Sequence, residues 1–220
     1  MHQLTTEMRD FEEIREFVER EIVPRYDVFD AGHGRDHVKT VISQALSLAR
    51  YYPEVDSCML LTAAAYHDLG LQFGREEHHI HSARIVREDN RLKRWFSDAE
   101  IDTIADAAED HRASSSREPR TIYGRIVAEA DRIIDGETIV RRALQYGMKH
   151  EPGLDREGQY RRLMEHMREK YDYGGYLKLW IPQSENAKRL EAFRKTLANE
   201  KAFHLLFDTI YDKLNLKPNK

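Results

Sequence analysis

Ala63-Ala64-Ala65-Tyr66-His67-Asp68-Leu69-Gly70 is the stretch whose reading decides the fold, because a nearly unbroken apolar run ends here in an imidazole and a carboxylate side by side. From Met59 to Tyr66 only Thr62 interrupts the apolar character, and such a run predicts a helix buried on all sides. A carboxylate at the end of that run must be paired, hydrogen-bonded or bound to a cation, since an isolated buried charge is costly. Adjacent helical residues point about 100° apart. His67 and Asp68 can therefore converge on one centre only at a helix end, and Gly70 is expected to supply it as the residue just past the C-cap. Taken alone, a His-Asp dipeptide is a weak signal, so the reading turns on what the rest of the chain can bring to it.

Outward from that stretch, the chain reads as helix after helix. Phe11, Ile14, Val18 and Ile22 give an amphipathic first helix over about Thr6 to Arg25, closed at or near Pro24, and the Asp- and Gly-bearing segment Tyr26 to Arg35 reads as a loop. Asp36 is the expected N-cap of the next helix, whose stripe runs His37, Val41, Ala45 and Leu48. Pro53 and Asp56 separate this helix from the central one. His78, Ser82 and Ile85 share one face of a later helix by their spacing. Ser97 with Glu100 is a capping box, and the helix it opens carries Ile101, Ile104, Ala105 and Ala108 in phase with His111. Ala113 to Ser116 marks a loop. A further helix from Thr121 has Ile122, Ile126, Ala130 and Ile133 as its stripe, with Asp131 beside it. Helices from Gly136 to about His150 and from Ser184 onward, the latter broken near Asn199, complete the pattern. Residues Asp155 to Trp180 read as a surface excursion in preference to a helix with a cap over the site. Core packing is the commoner use of aromatic residues such as Tyr171, Tyr173, Tyr176 and Trp180, although they have the shape to stack on a base.

No segment alternates as a strand does, so the expected class is all-α: a single domain of 220 residues with an N-terminal helix (1–30), a core (31–136) and C-terminal helices (137–220). Charged residues make up 34% of the chain yet sum to only −4 and are interspersed, which gives no electrostatic footprint for nucleic acid or a membrane surface. One cysteine, Cys58, excludes an internal disulfide. No stretch approaches a membrane span and the N-terminus has no apolar signal region, so the expected location is cytoplasmic. Oligomeric state is not legible from these features.

Collecting the inward-facing polar residues gives His37, His67, Asp68, His78, His111 and Asp131, each from a different helix or helix end apart from the adjacent pair. Four imidazoles and two carboxylates, with no cysteine among them, are a donor set suited to a divalent transition metal (Mn, Fe, Co, Ni or Zn) better than to calcium. His33 competes with His37 but lies in a Gly-flanked loop. His79 and His81 compete with His78, and helical phase decides among the three.

In this order and spacing the residues resemble the HD-domain superfamily of metal-dependent phosphohydrolases, over roughly Gly32 to Gly136. Gly32-His33-Gly34-Arg35-Asp36-His37-Val38 is similar to the family's first element, Ala65 to Gly70 to its His-Asp pair, and Ala128-Glu129-Ala130-Asp131-Arg132 to its last. The resemblance implies an all-helical bundle in which His37, His67, Asp68 and Asp131 hold one metal. Members with two metals add two histidines between the pair and the last Asp, where His78 and His111 stand, and Asp68 then bridges the two ions.

The activity implied is hydrolysis of a small phosphate substrate, a nucleotide or related ester, by attack of metal-bound hydroxide on phosphorus. Arg112 is the first candidate to contact the phosphate and, with Asp68, the residue nearest the chemistry; Arg35 and Lys39 are second choices. Two further readings keep the same fold: a di-iron oxygenase, and a non-catalytic domain that uses its metal structurally to bind a ligand or protein partner.

Overall fold

The structure, a computed structural model, describes residues 10–30, 32–112, 117–132 and 134–215. The expected start of the first helix at Thr6, the loop Ala113 to Ser116 and the stripe position Ile133 lie outside the described residues. Every regular element among the described residues is helical, as the all-α reading requires. The chain divides into two compact units, residues 1–131 and 132–220.

In the first unit, α1 (Phe11–Phe17) begins at Asp10, whose carboxylate accepts from the backbone N–H of Glu12 and Glu13. The chain then widens into a π turn (Val18–Ile22) and tightens into a 3-10 turn (Val23–Val28). Pro24, which has no N–H to donate, falls where the pitch changes. The segment from Tyr26 is thus a continuation of helical winding as far as Val28, not loop. α2 (Arg35–Ala49) has Gly34 as its N-cap with no side-chain cap, so Asp36 lies in the first turn and not at the cap position expected of it. There it still complements the positive end of the helix dipole.

α3 (Ser57–Tyr66) is the pillar of this unit. Asp56 caps it, and every residue from Cys58 to Tyr66 is buried. It packs against α1, α2, α4 (His78–Glu88), α5 (Asp98–Glu109) and α6 (Ile122–Ala130), which is why its composition is apolar all round. The predicted capping box is present at the start of α5: Ser97 Oγ accepts from Glu100 N at 3.4 Å, and the Glu100 carboxylate accepts from Ser97 N at 2.8 Å. Ile101, Ile104, Ala105 and Ala108 are all buried.

Gly70 does not end α3. The helix ends at Tyr66, and Gly70 sits in a 3-10 turn (Leu69–Phe73) with no positive φ, whereas Gly74 alone among the described residues has one, at 109°. What requires a glycine at 70 is proximity. A Cβ there would lie 1.9 Å from the His78 carbonyl oxygen and 2.6 Å from Ser82 N. Ser82 Oγ accepts from Gly70 N at 2.9 Å, so the turn after the His-Asp pair is pressed against the first turn of α4.

The second unit contains α7 (Gly136–His150), α8 (Arg156–Tyr171), α9 (Glu185–Ala198) and α10 (Glu200–Asn215), with the break near Asn199 where the sequence places it. Its core joins Leu144, Leu163, Met167, Phe193, Phe203 and Phe207. The expected surface excursion after Asp155 is instead a 16-residue helix that buries Tyr160, Leu163, Met164, Met167 and Tyr171. Its apolar residues are diluted by charge along the chain, which masked their common face. Tyr171 packs edge-on against Phe193 with ring centroids 5.6 Å apart, while Tyr173 is exposed and donates to Glu191. Among the described residues no helix is long and apolar enough to cross a membrane.

Candidate metal centre

The six residues singled out above meet at helix ends in the first unit. His37 is in the first turn of α2, His67 is the C-cap of α3 with Asp68 next, His78 opens α4, His111 follows the C-cap of α5, and Asp131 is the C-cap of α6. They form two groups, His37–His67–Asp131 and Asp68–His78–His111, with the ligating atoms of each group within 4.8 Å of one another.

Three of the rings are aimed by one device. His67 Nδ1 lies 2.8 Å from the carbonyl oxygen of Ala64, His78 Nδ1 2.7 Å from that of Arg75, and His111 Nδ1 2.6 Å from that of Ala108, each three residues back in the chain. A carbonyl can only accept, so Nδ1 carries the proton and Nε2 is left as the inward-facing lone pair of the neutral ring. For His67 and His111 the accepting carbonyls are among those a helix C-terminus leaves without an intrahelical donor.

The lone pairs then converge. His78 Nε2 and His111 Nε2 are 3.1 Å apart, and both face Asp68 Oδ1, at 3.5 and 3.3 Å. On the other side His37 Nε2 and His67 Nε2 are 3.3 Å apart and face Asp68 Oδ2 at 3.5 and 3.3 Å. Asp131 Oδ1 adds contacts of 3.2 Å to His37 and 3.7 Å to His67. One oxygen of the buried Asp68 thus serves each group.

Acceptors gathered so closely repel unless positive charge sits among them. In the first group, burial opposes protonation of His67, but the Asp68 charge and bonds to Asp131 and Asp68 outweigh it and lift the imidazole to about 10. In the second, burial and then the His111 charge push His78 down to about 4, so no proton on that ring offsets the convergence. Asp68 is held far below the usual carboxylate range: burial, which would raise it, yields to the His67 charge and to bonds from His111, His37 and His67.

The donors fit a divalent transition metal by chemistry and by spacing. Nitrogen and oxygen ligands about 2.1 Å from one ion stand about 3.0–3.4 Å from each other, the range of most contacts above. Solvent reaches part of the cluster: the His37, His78 and Asp131 side chains are 13%, 16% and 20% exposed, against 0% for His67 and 2% for His111.

The competing histidines lie outside the two groups. His33 is engaged by Asp30 and Arg75, His79 packs against the His78 ring, and the His81 ring lies 5.0 Å from that of Phe73. The Arg112 guanidinium donates to the Glu76 carbonyl, and that of Arg35 binds the Asp27 carboxylate. Lys39 is exposed on α2 two residues past His37, a rotation of about 200° that carries it to the opposite face.

One residue of the site has no signal in the sequence. Tyr26, fully buried, donates to the Ala65 carbonyl at 2.8 Å and accepts from Asp68 N at 3.3 Å, so it clamps the backbone on both sides of His67. Burial, then the Asp68 charge, keeps its hydroxyl protonated and able to donate. Replacing Tyr26 by Phe strands two buried backbone groups and is expected to cost about 1–3 kcal/mol in urea unfolding. A cost under about 0.5 kcal/mol, the range of ordinary surface changes, would show that the clamp carries no weight.

Residues 34–134 match the family described as HD domain. The matched span contains all six clustered residues, and HD domains are mostly metal-dependent hydrolases. No curated protein and no solved structure matches the chain.

Proposed function

We propose that the protein is a two-metal phosphohydrolase acting on a nucleotide or related phosphate ester. The observation that carries this reading is the split of Asp68, one oxygen toward His37 and His67 and the other toward His78 and His111. A carboxylate shared in this way is what a pair of adjacent cations requires, and a lone structural ion would leave half of these donors unused.

In this reading His37, His67 and Asp131 would hold one ion and His78 and His111 the other, with Asp68 offering an oxygen to each group. Bound divalent metals supply an acidified water and neutralise phosphate charge. The chain's own contribution is orientation. The carbonyls of Ala64, Arg75 and Ala108 fix the tautomers of three rings, Tyr26 fixes the pair at 67 and 68, and the exposed edge formed by His37, His78 and Asp131 leaves room for a substrate.

Elemental analysis of protein purified without chelator tests the reading directly. The expected result is two ions per chain, falling to about one in both His78→Ala and His111→Ala, with turnover of phosphomonoesters, phosphodiesters or nucleotides in the presence of Mn²⁺, Fe, Co²⁺ or Zn²⁺. One ion in all three proteins would remove His78 and His111 from the centre. Full metal loading without hydrolysis of any phosphate ester would overturn the activity, and an iron-dependent optical band under air would point to oxidative chemistry instead.

A further inference from the structure

A second cluster stands beside the centre, on the loop that leads into α2. Asp30 Oδ1 accepts from Gly32 N at 2.8 Å and lies 2.9 Å from His33 Nδ1, while His33 Nε2 is 3.1 Å from Arg75 Nη2. Arg75 Nη1 is 3.8 Å from the other Asp30 oxygen. Arginine has no acceptor, so Arg75 donates, His33 Nε2 accepts, and the His33 proton on Nδ1 goes to Asp30. The chain Asp30–His33–Arg75 thus has one order of donors, and it ends in a guanidinium.

Its place matters more than its order. The His33 ring stands 5.7 Å, edge to face, from the ring of His37 in the part of the centre that solvent reaches. Arg75 belongs to the short segment between Gly74 and α4, and the carbonyl of the same residue accepts from His78 Nδ1. One residue therefore spans from a ring of the second group to the loop beside a ring of the first. The Arg75 side chain is 71% exposed, so its remaining N–H donors are open to a ligand. Arg35 and Arg112 differ: the first is turned to Asp27 and the second to the carbonyl of Glu76.

We propose that Arg75 is the phosphate-binding residue at the mouth of the centre, and that Asp30 and His33 are positioning residues that hold its guanidinium there. The inference rests on the phosphohydrolase reading for its substrate class, a phosphate monoester, diester or nucleotide phosphate. A guanidinium donates to two phosphate oxygens at once, and lysine offers only a point charge, so charge alone does not reproduce the contact.

The test uses the full-length Mn²⁺-loaded protein and inorganic phosphate as the probe, with binding followed by calorimetry. Arg75→Ala is expected to weaken phosphate binding by about tenfold to a hundredfold, the worth of a charge-assisted hydrogen bond, with metal content unchanged. Arg75→Lys should recover part of the loss. His33→Asn should cost less alone and add little to Arg75→Ala, because it acts through the same guanidinium. Where a phosphate ester is turned over, the Arg75→Ala defect should fall on KM more than on kcat.

Unchanged phosphate affinity in Arg75→Ala, or no phosphate binding by the wild type, would overturn the assignment. Loss of metal in Arg75→Ala would show that the residue supports the centre instead of the ligand. Calorimetry separates this inference from the activity: if the wild type binds phosphate through Arg75 and hydrolyses no ester, the anion site stands and the phosphohydrolase reading fails.

Discussion

Asp68→Asn is expected to lower turnover by more than about a hundredfold, the loss that removal of an outer-shell partner of a metal ligand already reaches. Asparagine keeps the shape of the side chain but replaces one of the two oxygens by an NH₂ group that can only donate, and it removes the charge that both groups share. Since Asp68 Oδ1 faces His78 and His111 while Oδ2 faces His37 and His67, either orientation of the amide points N–H bonds at one pair of imidazoles. That pair then loses its claim on a cation, and the metal content should fall by at least one ion per chain. The helical circular-dichroism signal should persist, because the backbone around residue 68 is held by Tyr26 and by the packing of α3 and not by the carboxylate. A folded, metal-depleted and inactive variant supports catalysis at this centre. Unfolding of the variant would mean that the metal serves the fold, and retained turnover would remove Asp68 from the chemistry.

How much of this was legible in the sequence follows from the range over which each signal acts. α3 could be read because burial on every side leaves a run with no polar face. The starts of α5 and α9 could be read because Ser97 and Ser184 cap within three residues of themselves. The choice of His78 over His79 and His81 followed from helical phase, and the structure brings His78 to the cluster for that reason: it shares the buried face of Ser82. Signals that act across space left no local mark. Tyr26 lies in a segment whose Asp and Gly residues announce a loop, yet its hydroxyl reaches a carbonyl 39 residues away. Arg75 stands among the polar residues of an exposed segment, where nothing nearby in sequence indicates that it meets His33. Asp36 is expected from the sequence to cap α2 with its side chain, but the extended backbone of Gly34, with φ −81° and ψ −168°, takes the position. In α8 the buried residues Tyr160, Leu163, Met164, Met167 and Tyr171 do follow helical spacing, but charged neighbours lowered the contrast between the two faces.

Gly70→Ala is expected to destabilise the protein by about 3 kcal/mol or more, at the upper end of overpacking costs, and to lower Tm by about 10 °C. Glycine is often replaceable by alanine in a turn of ordinary φ, and Gly70 has no positive φ to forbid it. The obstacle is that the added Cβ would meet main chain on both counts, the His78 carbonyl at 1.9 Å and the Ser82 nitrogen at 2.6 Å. A side chain can rotate away from such contact; two backbone atoms of one helical turn can move only with the helix. α4 would have to withdraw, breaking the bond from Gly70 N to Ser82 Oγ and carrying the His78 ring away from His111 and Asp68. The same substitution should therefore reduce metal content toward that of His78→Ala, coupling a stability defect to a site defect through one methyl group. Gly153→Ala is the control, since nothing lies within 4 Å of a Cβ there, and it should stay within about 0.5 kcal/mol of wild type. If Gly70→Ala were as stable as Gly153→Ala, the turn at 69–73 and α4 would not be packed as closely as the structure has them. If it were destabilised but kept its full metal content, His78 would not depend on that packing for its place.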